Sequence, residues 1–157
     1  MSFAQVPPMT RLADIQHFLA HPAMALVGAS RTGRKFGNLA LKELRAKGYR
    51  VYPVHPFATS IDGVSCAHAF ESLPEPVDAV LITVPPSEAA KAVRQAAAAG
   101  IREVWLQQGA ESPAVLEACR ETGVTAISGE CILMFASPTS YHKVHQAIWK
   151  LLAKYPH

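Results

Sequence analysis

The sequence predicts an α/β domain with a doubly wound parallel sheet, whose helices cover both faces in the three-layer α/β/α arrangement of Rossmann-like folds. Three observations support this class. The chain has 157 residues, which is the length of about one domain. Short apolar runs alternate along it with segments of helical periodicity. These helical segments are long enough to cross between parallel strands, which a tight turn is too short to do.

Five short apolar runs indicate strands. The predicted strands are residues 23–27, 50–54, 77–84, 102–106 and 124–128. The first run leads directly into Gly28, and the third holds Val80, Leu81 and Ile82 in succession. Runs of this kind predict a sheet that is buried on both faces, as parallel sheets are when helices cover them.

Five helices are predicted from apolar residues at helical spacing and from residues that start or stop helices. They cover residues 10–20, 36–47, 85–99, 113–122 and 139–154. Ser112 and Pro113 supply an N-cap and a first-turn proline for the fourth helix. Gly48, Gly100 and Gly123 follow the ends of three helices, where glycine is typical of helix termination.

The whole chain, residues 1–157, is expected to form one domain. Residues 1–20 form a helical N-terminal extension in this prediction, and residues 139–157 contain a C-terminal helix. The segment 55–76 is predicted as loops with an Asp-Gly turn and one short helical turn, because prolines and turn residues interrupt it. The apolar face of the last helix would suit either a homodimer or packing against the sheet.

Composition and cysteine usage indicate a compact domain in a reducing compartment. Half of the residues are apolar and 17% are charged, which excludes a disordered chain. No apolar run reaches the roughly 20 residues of a membrane-spanning helix, and the first residues lack a secretion signal. The three cysteines have neither metal-binding nor disulfide spacing. We therefore expect a cytoplasmic protein with no membrane partner.

The turn after the first strand is the main candidate site. Residues 28–33 read G-A-S-R-T-G and lead through Arg34 and Lys35 into the second helix. In doubly wound folds, ligands bind outside the carboxyl ends of the strands. Glycine lets the backbone approach a phosphate closely, and free N–H groups at a helix start favour an anion. The turn therefore predicts a ligand that contains phosphate.

Positive charge is concentrated next to this turn. Of the 15 Lys and Arg residues, seven lie between residues 31 and 50 beside a single acid. Such a block suits a nucleic-acid surface, a polyphosphate site or the solvated face of a helix. Only Phe36 and Tyr49 could stack on bases there, so no nucleic-acid partner is expected. Its position at the turn favours a small ligand with several phosphates.

The end of the second strand bears on the choice of nucleotide. NAD-binding domains usually carry an acidic residue there, which binds the ribose hydroxyls. Residues 52–56 read Y-P-V-H-P and offer no carboxylate. Ser30 also replaces the middle glycine of the usual dinucleotide fingerprint. These features disfavour NAD, and the excess of cations suits NADP or coenzyme A (CoA).

Six motifs in a fixed order resemble one known family. They are V-G-A-S at 27–30, Gly37, V-Y-P-V-H-P at 51–56, V-P-P at 84–86, W-L-Q-Q-G-A at 105–110 and E-C-I at 130–132. The set resembles the small stand-alone CoA-binding proteins, which are similar to the N-terminal domain of the succinyl-CoA synthetase α subunit and of related acyl-CoA ligases. The resemblance covers about residues 20–135.

This resemblance implies a CoA site in three parts. The phosphate part would contain Gly28, Ala29, Ser30, Arg31, Thr32, Lys35 and Gly37. The nucleotide cleft would be lined by Pro53, His55 and Pro56. Val84 and Pro85 would lie against adenine or pantetheine, and Gln108 and Gly109 would face the pantetheine end.

The chain departs from the family where chemistry would be expected. Many stand-alone members have arginines after the third strand, where this chain has T-V-P-P at 83–86. The second ligase domain, which bears the phosphorylated histidine, has no counterpart within these residues. Cys131 is the one candidate nucleophile, and neighbouring Glu130 would raise its pKa. His142 and His145 lack a third ligand, so no metal site and no catalytic residues are expected.

We therefore expect a small-molecule binding protein rather than an enzyme. It would hold CoA or an acyl-CoA as a carrier, sensor or regulatory module without its own ligase domain. The alternative is an NADP-dependent oxidoreductase or redox sensor, for which the sequence shows no catalytic set. A third interpretation is an interaction protein with a vestigial nucleotide pocket.

Overall fold

A computed structural model of the chain describes residues 10–136 and contains one main sheet, one small hairpin and four helices in that range. The strands are β1 (Ala23–Val27), β2 (Arg50–Val54), β3 (Ser60–Ile61), β4 (Val64–Ser65), β5 (Ala79–Ile82), β6 (Glu103–Leu106) and β7 (Thr125–Ile127). The helices are α1 (Leu12–Leu19), α2 (Phe36–Ala46), α3 (Pro86–Ala98) and α4 (Pro113–Thr122). Each lies within two residues of a predicted helix's bounds.

The main sheet confirms the predicted fold class. Its strands are all parallel and follow the order β2-β1-β5-β6-β7. The chain thus places β2 on one side of β1 and then crosses to the other side, where β5, β6 and β7 follow in order. The order reverses between β1 and β5, so their carboxyl ends mark the switch point where such folds leave a crevice for ligands.

Two apolar clusters cover opposite faces of this sheet. Side chains from α1 and α2, such as Phe18 and Leu41, pack with Leu26 and Trp105 on one face. Side chains from α3 and α4, such as Val93, pack with the alternate strand residues on the other. Because successive strand residues point to opposite faces, the wholly apolar central strands β1 and β5 bury both faces of the sheet, which gives the three-layer arrangement.

The segment predicted as loops contains a short hairpin. Ile61 pairs with Val64 in antiparallel β3 and β4, and Asp62 and Gly63 form the two-residue turn between them. Both turn residues have positive φ, +49° and +78°, as the tight hairpin turn with the right twist requires. The turn was predicted correctly, but strands of two residues carry too little alternation to be recognised.

Other differences are confined to the ends of elements. β5 and β7 are shorter than predicted. The short helical turn expected within residues 55–76 is present as a 3-10 turn at Phe70–Ser72. The predicted C-terminal helix, the homodimer face and the first nine residues of the extension lie outside the described residues. Among the helices of residues 10–136, none is long and apolar enough to cross a membrane.

Candidate functional site

Gly28 is the point where the end of β1 meets the end of β5. Its φ is +116°, and a Cβ atom added there would lie 1.9 Å from Thr83 Oγ1. Thr83 donates from both its backbone N–H and its hydroxyl to the Val27 carbonyl, each at 2.8 Å. The two strand ends are therefore held together so closely that only glycine fits between them.

Gly37 allows α2 to begin directly on the turn. A Cβ atom at this position would lie 2.7 Å from the backbone of Gly28 and from the Ala29 nitrogen. Ala29 itself is buried under the helix start. Glycines in dinucleotide turns serve these same two purposes, the tight turn and the close packing of the helix.

Asn38 organises the loop from within and is a residue that the sequence analysis missed. Its side chain is buried, its Oδ1 accepts from the N–H groups of Ser30 (2.9 Å) and Lys35 (3.3 Å), and its Nδ2 donates to the Ser30 carbonyl (2.9 Å). The same Nδ2 donates to Asp62 of the hairpin at 2.9 Å. One side chain thus fixes both ends of the loop and connects it to the β3–β4 turn.

Ser30 and Thr32 give the tip of the loop its shape. Their hydroxyl oxygens are 2.6 Å apart, and Thr32 N–H donates to Ser30 Oγ at 3.0 Å. Within residues 10–136, the N–H groups of Arg31 and Arg34 donate to no protein acceptor. The N–H groups of Phe36 and Gly37, the first two residues of α2, also have no acceptor in that range, as is usual at a helix start. These donors are available to an anion.

The cationic side chains of the loop are exposed and form no ion pair within the described range. Arg31, Arg34 and Lys35 are solvent-exposed, and none of them is in an ion pair within the described range. Arg34 and Lys35 also line a groove of about 650 Å³. Lys42 and Arg45 of α2 line the same groove. The basic block therefore divides into a loop part at the sheet edge and a groove part along α2.

His55 lies at the end of β2, beside the loop. Its Nδ1 accepts from the N–H groups of Phe57 (3.1 Å) and Ala58 (2.9 Å), so a neutral ring carries its proton on Nε2. Burial lowers the pKa of His55, and the nearby charge of Arg31 and His68 lowers it further. The ring is thus held as a neutral donor facing the same region as Arg31.

The neighbours of His55 differ in exposure. Pro53 is buried inside β2, where it pairs with Leu26, and Pro56 is exposed beyond the strand. Phe57 is 76% exposed, and its ring centroid lies 6.3 Å from that of His55. An exposed aromatic ring is a candidate for stacking on a base. The sequence analysis did not identify Phe57.

The remaining predicted residues lie at the ends of β5 and β6. Val84 is partly buried and Pro85 is exposed, directly before α3. Gln108 and Gly109 are exposed in the turn after β6, and Gln108 Nε2 donates to the Gly129 carbonyl at 3.1 Å. The predicted site residues therefore lie in loops after β1, β2, β5 and β6, apart from Pro53 within β2 and Gly37 in the first turn of α2.

Buried polar contacts join the loops after β6 and β7. Gln107 Oε1 accepts from the Ile132 N–H at 3.1 Å, and Trp105 Nε1 donates to the Glu130 carbonyl at 3.0 Å. Glu130 itself is partly buried, and this burial raises its pKa. Cys131 beside it is a free thiol, as are the other two cysteines. The loops after β6 and β7 thus form a wall at this end of the crevice. These contacts hold the wall together, and it is less charged than the loop after β1.

The all-parallel sheet, its strand order and the glycine turn at its switch point define a Rossmann-like α/β domain. Residues 22–137 match the family of CoA binding domains, and the chain belongs to that family. The family resemblance predicted from the sequence motifs is confirmed.

Relatives of named activity contain this domain as a small part. The chain is 29% identical to ADP-forming acetate–CoA ligase I of Archaeoglobus fulgidus over 121 residues, which are 71% of this chain and 18% of that protein. It is 26% identical to the ADP-forming acetate–CoA ligase of Methanocaldococcus jannaschii over 86 residues, 54% of this chain and 12% of that protein. The chain spans less than a fifth of these curated relatives.

Several solved structures are similar over nearly their whole length. A conserved hypothetical protein of Pyrococcus furiosus shares 38% identity at a TM-score of 0.65, covering 70% of this chain and 95% of that one. A hypothetical protein of Pyrococcus horikoshii shares 28% identity at a TM-score of 0.72, covering 84% and 94%. A Thermus thermophilus protein shares 28% identity at a TM-score of 0.67, covering 76% and 91%.

Proposed function

We propose that this protein binds coenzyme A or an acyl-CoA in the crevice at the carboxyl end of its sheet. The observation that carries the proposal is the loop from Gly28 to Gly37, which offers free N–H donors and unpaired cations at the switch point. Membership of the CoA binding domain family supports CoA as the source of the phosphates.

The loop would hold the pyrophosphate. Glycine at positions 28 and 37 lets the loop pack closely against β5 and the start of α2, and the positive end of the helix dipole favours an anion there. Arg31, Arg34 and Lys35 would neutralise the phosphates. Ser30 and Thr32 would turn their hydroxyls from each other toward a phosphate oxygen, which replaces one hydrogen bond by a charge-assisted one.

The rest of CoA would extend along the crevice in both directions from the loop. His55 offers its Nε2–H, and exposed Phe57 offers a ring face, so the end of β2 suits an adenosine. Val84 and Pro85 would contact the adenine or the pantetheine. Gln108 and Gly109 would border the pantetheine end, near the wall formed by the loops after β6 and β7.

NADP is the second candidate, and one observation favours it over NAD. Arg31 lies close enough to His55, at the end of β2, to lower that residue's pKa. NADP-binding domains place an arginine in this region to accept the 2′-phosphate. CoA carries a 3′-phosphate on the same ribose, so this arginine serves either ligand.

A role without catalysis fits these features best. The described loops hold no nucleophile and base in hydrogen-bond contact. The chain would therefore act as a carrier, sensor or regulatory module for CoA, or as the CoA-binding part of a larger ligase assembly. The free thiols fit a reducing cytoplasm.

Replacing Arg31 or Arg34 by alanine tests the assignment of the phosphates. Hydrogen bonds to charged groups contribute about 1.5–3 kcal/mol, and a loss of about 1.4 kcal/mol weakens binding tenfold. We expect about tenfold weaker CoA binding by titration calorimetry. If one arginine binds the 3′-phosphate, its variant will weaken CoA more than dephospho-CoA. Arg102→Ala, exposed at the opposite end of the sheet, is the charge-matched control.

The outcomes separate the assignments. Equal losses for both ligands place the arginine on the pyrophosphate. Unchanged CoA binding in both variants, or an equal loss in Arg102→Ala, contradicts the proposed site.

A further inference from the structure

A second polar cluster lies at the amino end of the sheet, opposite the candidate CoA crevice. His17 of α1, His21 just after that helix and Glu103 at the start of β6 converge there. The His17 Nδ1 atom is 2.7 Å from Glu103 Oε1, and His21 Nε2 contacts the other carboxylate oxygen, Oε2. One ligand-type atom from each residue lies within 4.8 Å of the others.

The end of α1 brings the two histidines together. They are four residues apart, which places them on one side of a helix. The helix ends at Leu19, and His21 N–H still donates to the Phe18 carbonyl at 3.2 Å, so the chain keeps a helical turn there. The imidazole rings meet edge to face, with centroids 5.4 Å apart.

Glu103 is the unusual member of the cluster. It is buried in a sheet strand, and Asn38 and Gln107 are the only other buried polar residues among residues 10–136. A buried carboxylate is costly unless a charge or a hydrogen bond compensates it. Each of its two oxygens contacts one imidazole. The groups that compensate the buried charge are therefore of a kind that can also bind metal ions.

We propose that His17, His21 and Glu103 form a site for a divalent first-row transition metal of the zinc type. Two imidazole nitrogens and one carboxylate oxygen are donors that zinc binds in proteins, with a fourth position left for water. Zinc–ligand distances of about 2.0–2.1 Å place ligand atoms roughly 3.3 Å apart in a tetrahedron. Both contacts of Glu103 are shorter than this, so the two imidazoles would move away from the carboxylate to admit the ion, His21 further than His17.

The surroundings permit both entry and retention of a cation. The His17 side chain is 71% exposed, so it can swing outward, whereas His21 and Glu103 are largely covered. Asp14, one turn earlier on α1, adds negative charge near His17. A bound metal would fasten α1 to β6 across 86 residues of sequence and would stabilise the fold independently of the CoA crevice.

The test uses the untagged full chain, stripped of metal by a chelator and titrated with zinc alone by calorimetry. We expect one zinc per chain. His17→Gln, at an exposed position that the fold tolerates, should weaken zinc at least tenfold, because even residues that only orient a ligand cost about 10- to 100-fold. Glu103→Gln should do the same. The control is His142→Gln with His145→Gln, which removes the other closely spaced histidine pair.

Two further readouts distinguish this site from others. Zinc should raise the unfolding temperature of the wild type and of the control double variant, but not of His17→Gln, since only a folded-state ligand stabilises by mass action. Cobalt should give a visible spectrum of nitrogen and oxygen ligation. Absence of zinc binding in the wild type, equal binding in His17→Gln, loss in the control, or a thiolate band with cobalt would overturn the proposal.

Discussion

At the scale of single residues, the shape of the loop after β1 depends on the absence of side chains at Gly28 and Gly37 and on the hydrogen bonds of the Asn38 side chain. The glycines leave room for Thr83 and for the loop backbone, respectively. Asn38 uses both lone-pair sites of its oxygen and both protons of its nitrogen in hydrogen bonds. The loop is therefore shaped before any ligand arrives, which reduces the entropy lost on binding.

Gly28→Ala should destabilise the fold. The added Cβ would meet Thr83 Oγ1 at 1.9 Å, and the φ of +116° is one that alanine rarely adopts. We expect a loss of more than about 1 kcal/mol in the free energy of unfolding, measured in urea. Gly100→Ala, which has positive φ but no atom within 4 Å, separates strain from the clash. An equal loss in the two variants would contradict a specific role for the Gly28–Thr83 contact.

Sequence reasoning found the glycines but not their partners. Gly28 and Ser30 follow an apolar run, so their place at a strand end could be predicted. Asn38 was missed because its hydrogen-bond partner Asp62 is 24 residues away, although a polar residue on the apolar face of α2 was a usable signal. Phe57 and Glu103 were missed because nothing in the local sequence shows how exposed either one is.

At the scale of elements, an ion pair holds β2, one of the two edge strands of the main sheet. Arg50 Nε donates to Glu75 at 2.8 Å, and the Tyr52 hydroxyl donates to the same carboxylate. These hydrogen bonds lower the pKa of Glu75 to about 2. This contact holds the amino end of β2, whereas the carboxyl end before the crevice is held by backbone hydrogen bonds from His55 N–H to Ala67 O (2.9 Å) and from Ala67 N–H to Pro53 O (3.0 Å).

Glu75→Gln should remove a pH-dependent part of the stability. A carboxylate whose pKa is lowered on folding stabilises the native state above its unfolded value of 4.5, and this is lost as the pH falls toward about 2. The difference in unfolding free energy between wild type and variant should be largest at neutral pH and should shrink through that window. Glu71→Gln, exposed and without an ion pair in the described range, is the control. A difference that stays constant with pH would contradict the ion-pair account.

The order of helices and strands was predictable because each apolar run is short and each helix has a recognisable end. Val80, Leu81 and Ile82 leave no polar face, which identifies β5 as a buried parallel strand. The β3–β4 hairpin was not predictable from periodicity, since each strand has two residues. The Asp-Gly turn was the one local signal of this hairpin. Asp62 of that turn accepts the hydrogen bond from Asn38 Nδ2.

At the scale of the whole molecule, the two ends of the sheet carry different groups. The carboxyl end carries glycines, unpaired cations and a neutral histidine, and the amino end carries the two histidines and Glu103. Curated relatives contain this domain as less than a fifth of their length. The single-domain arrangement and a homodimer through residues 139–157 stay predictions.

The measurement that tests the central claim most directly is a calorimetric titration of the nucleotide-stripped protein with CoA, NADP and NAD in parallel at low salt. Low salt preserves the attraction between the exposed loop cations and the phosphates. We predict one CoA per chain, bound more tightly than NADP, with NAD weakest because the end of β2 offers no carboxylate to its ribose. Preference for NADP, or no binding of any of the three, would contradict the account.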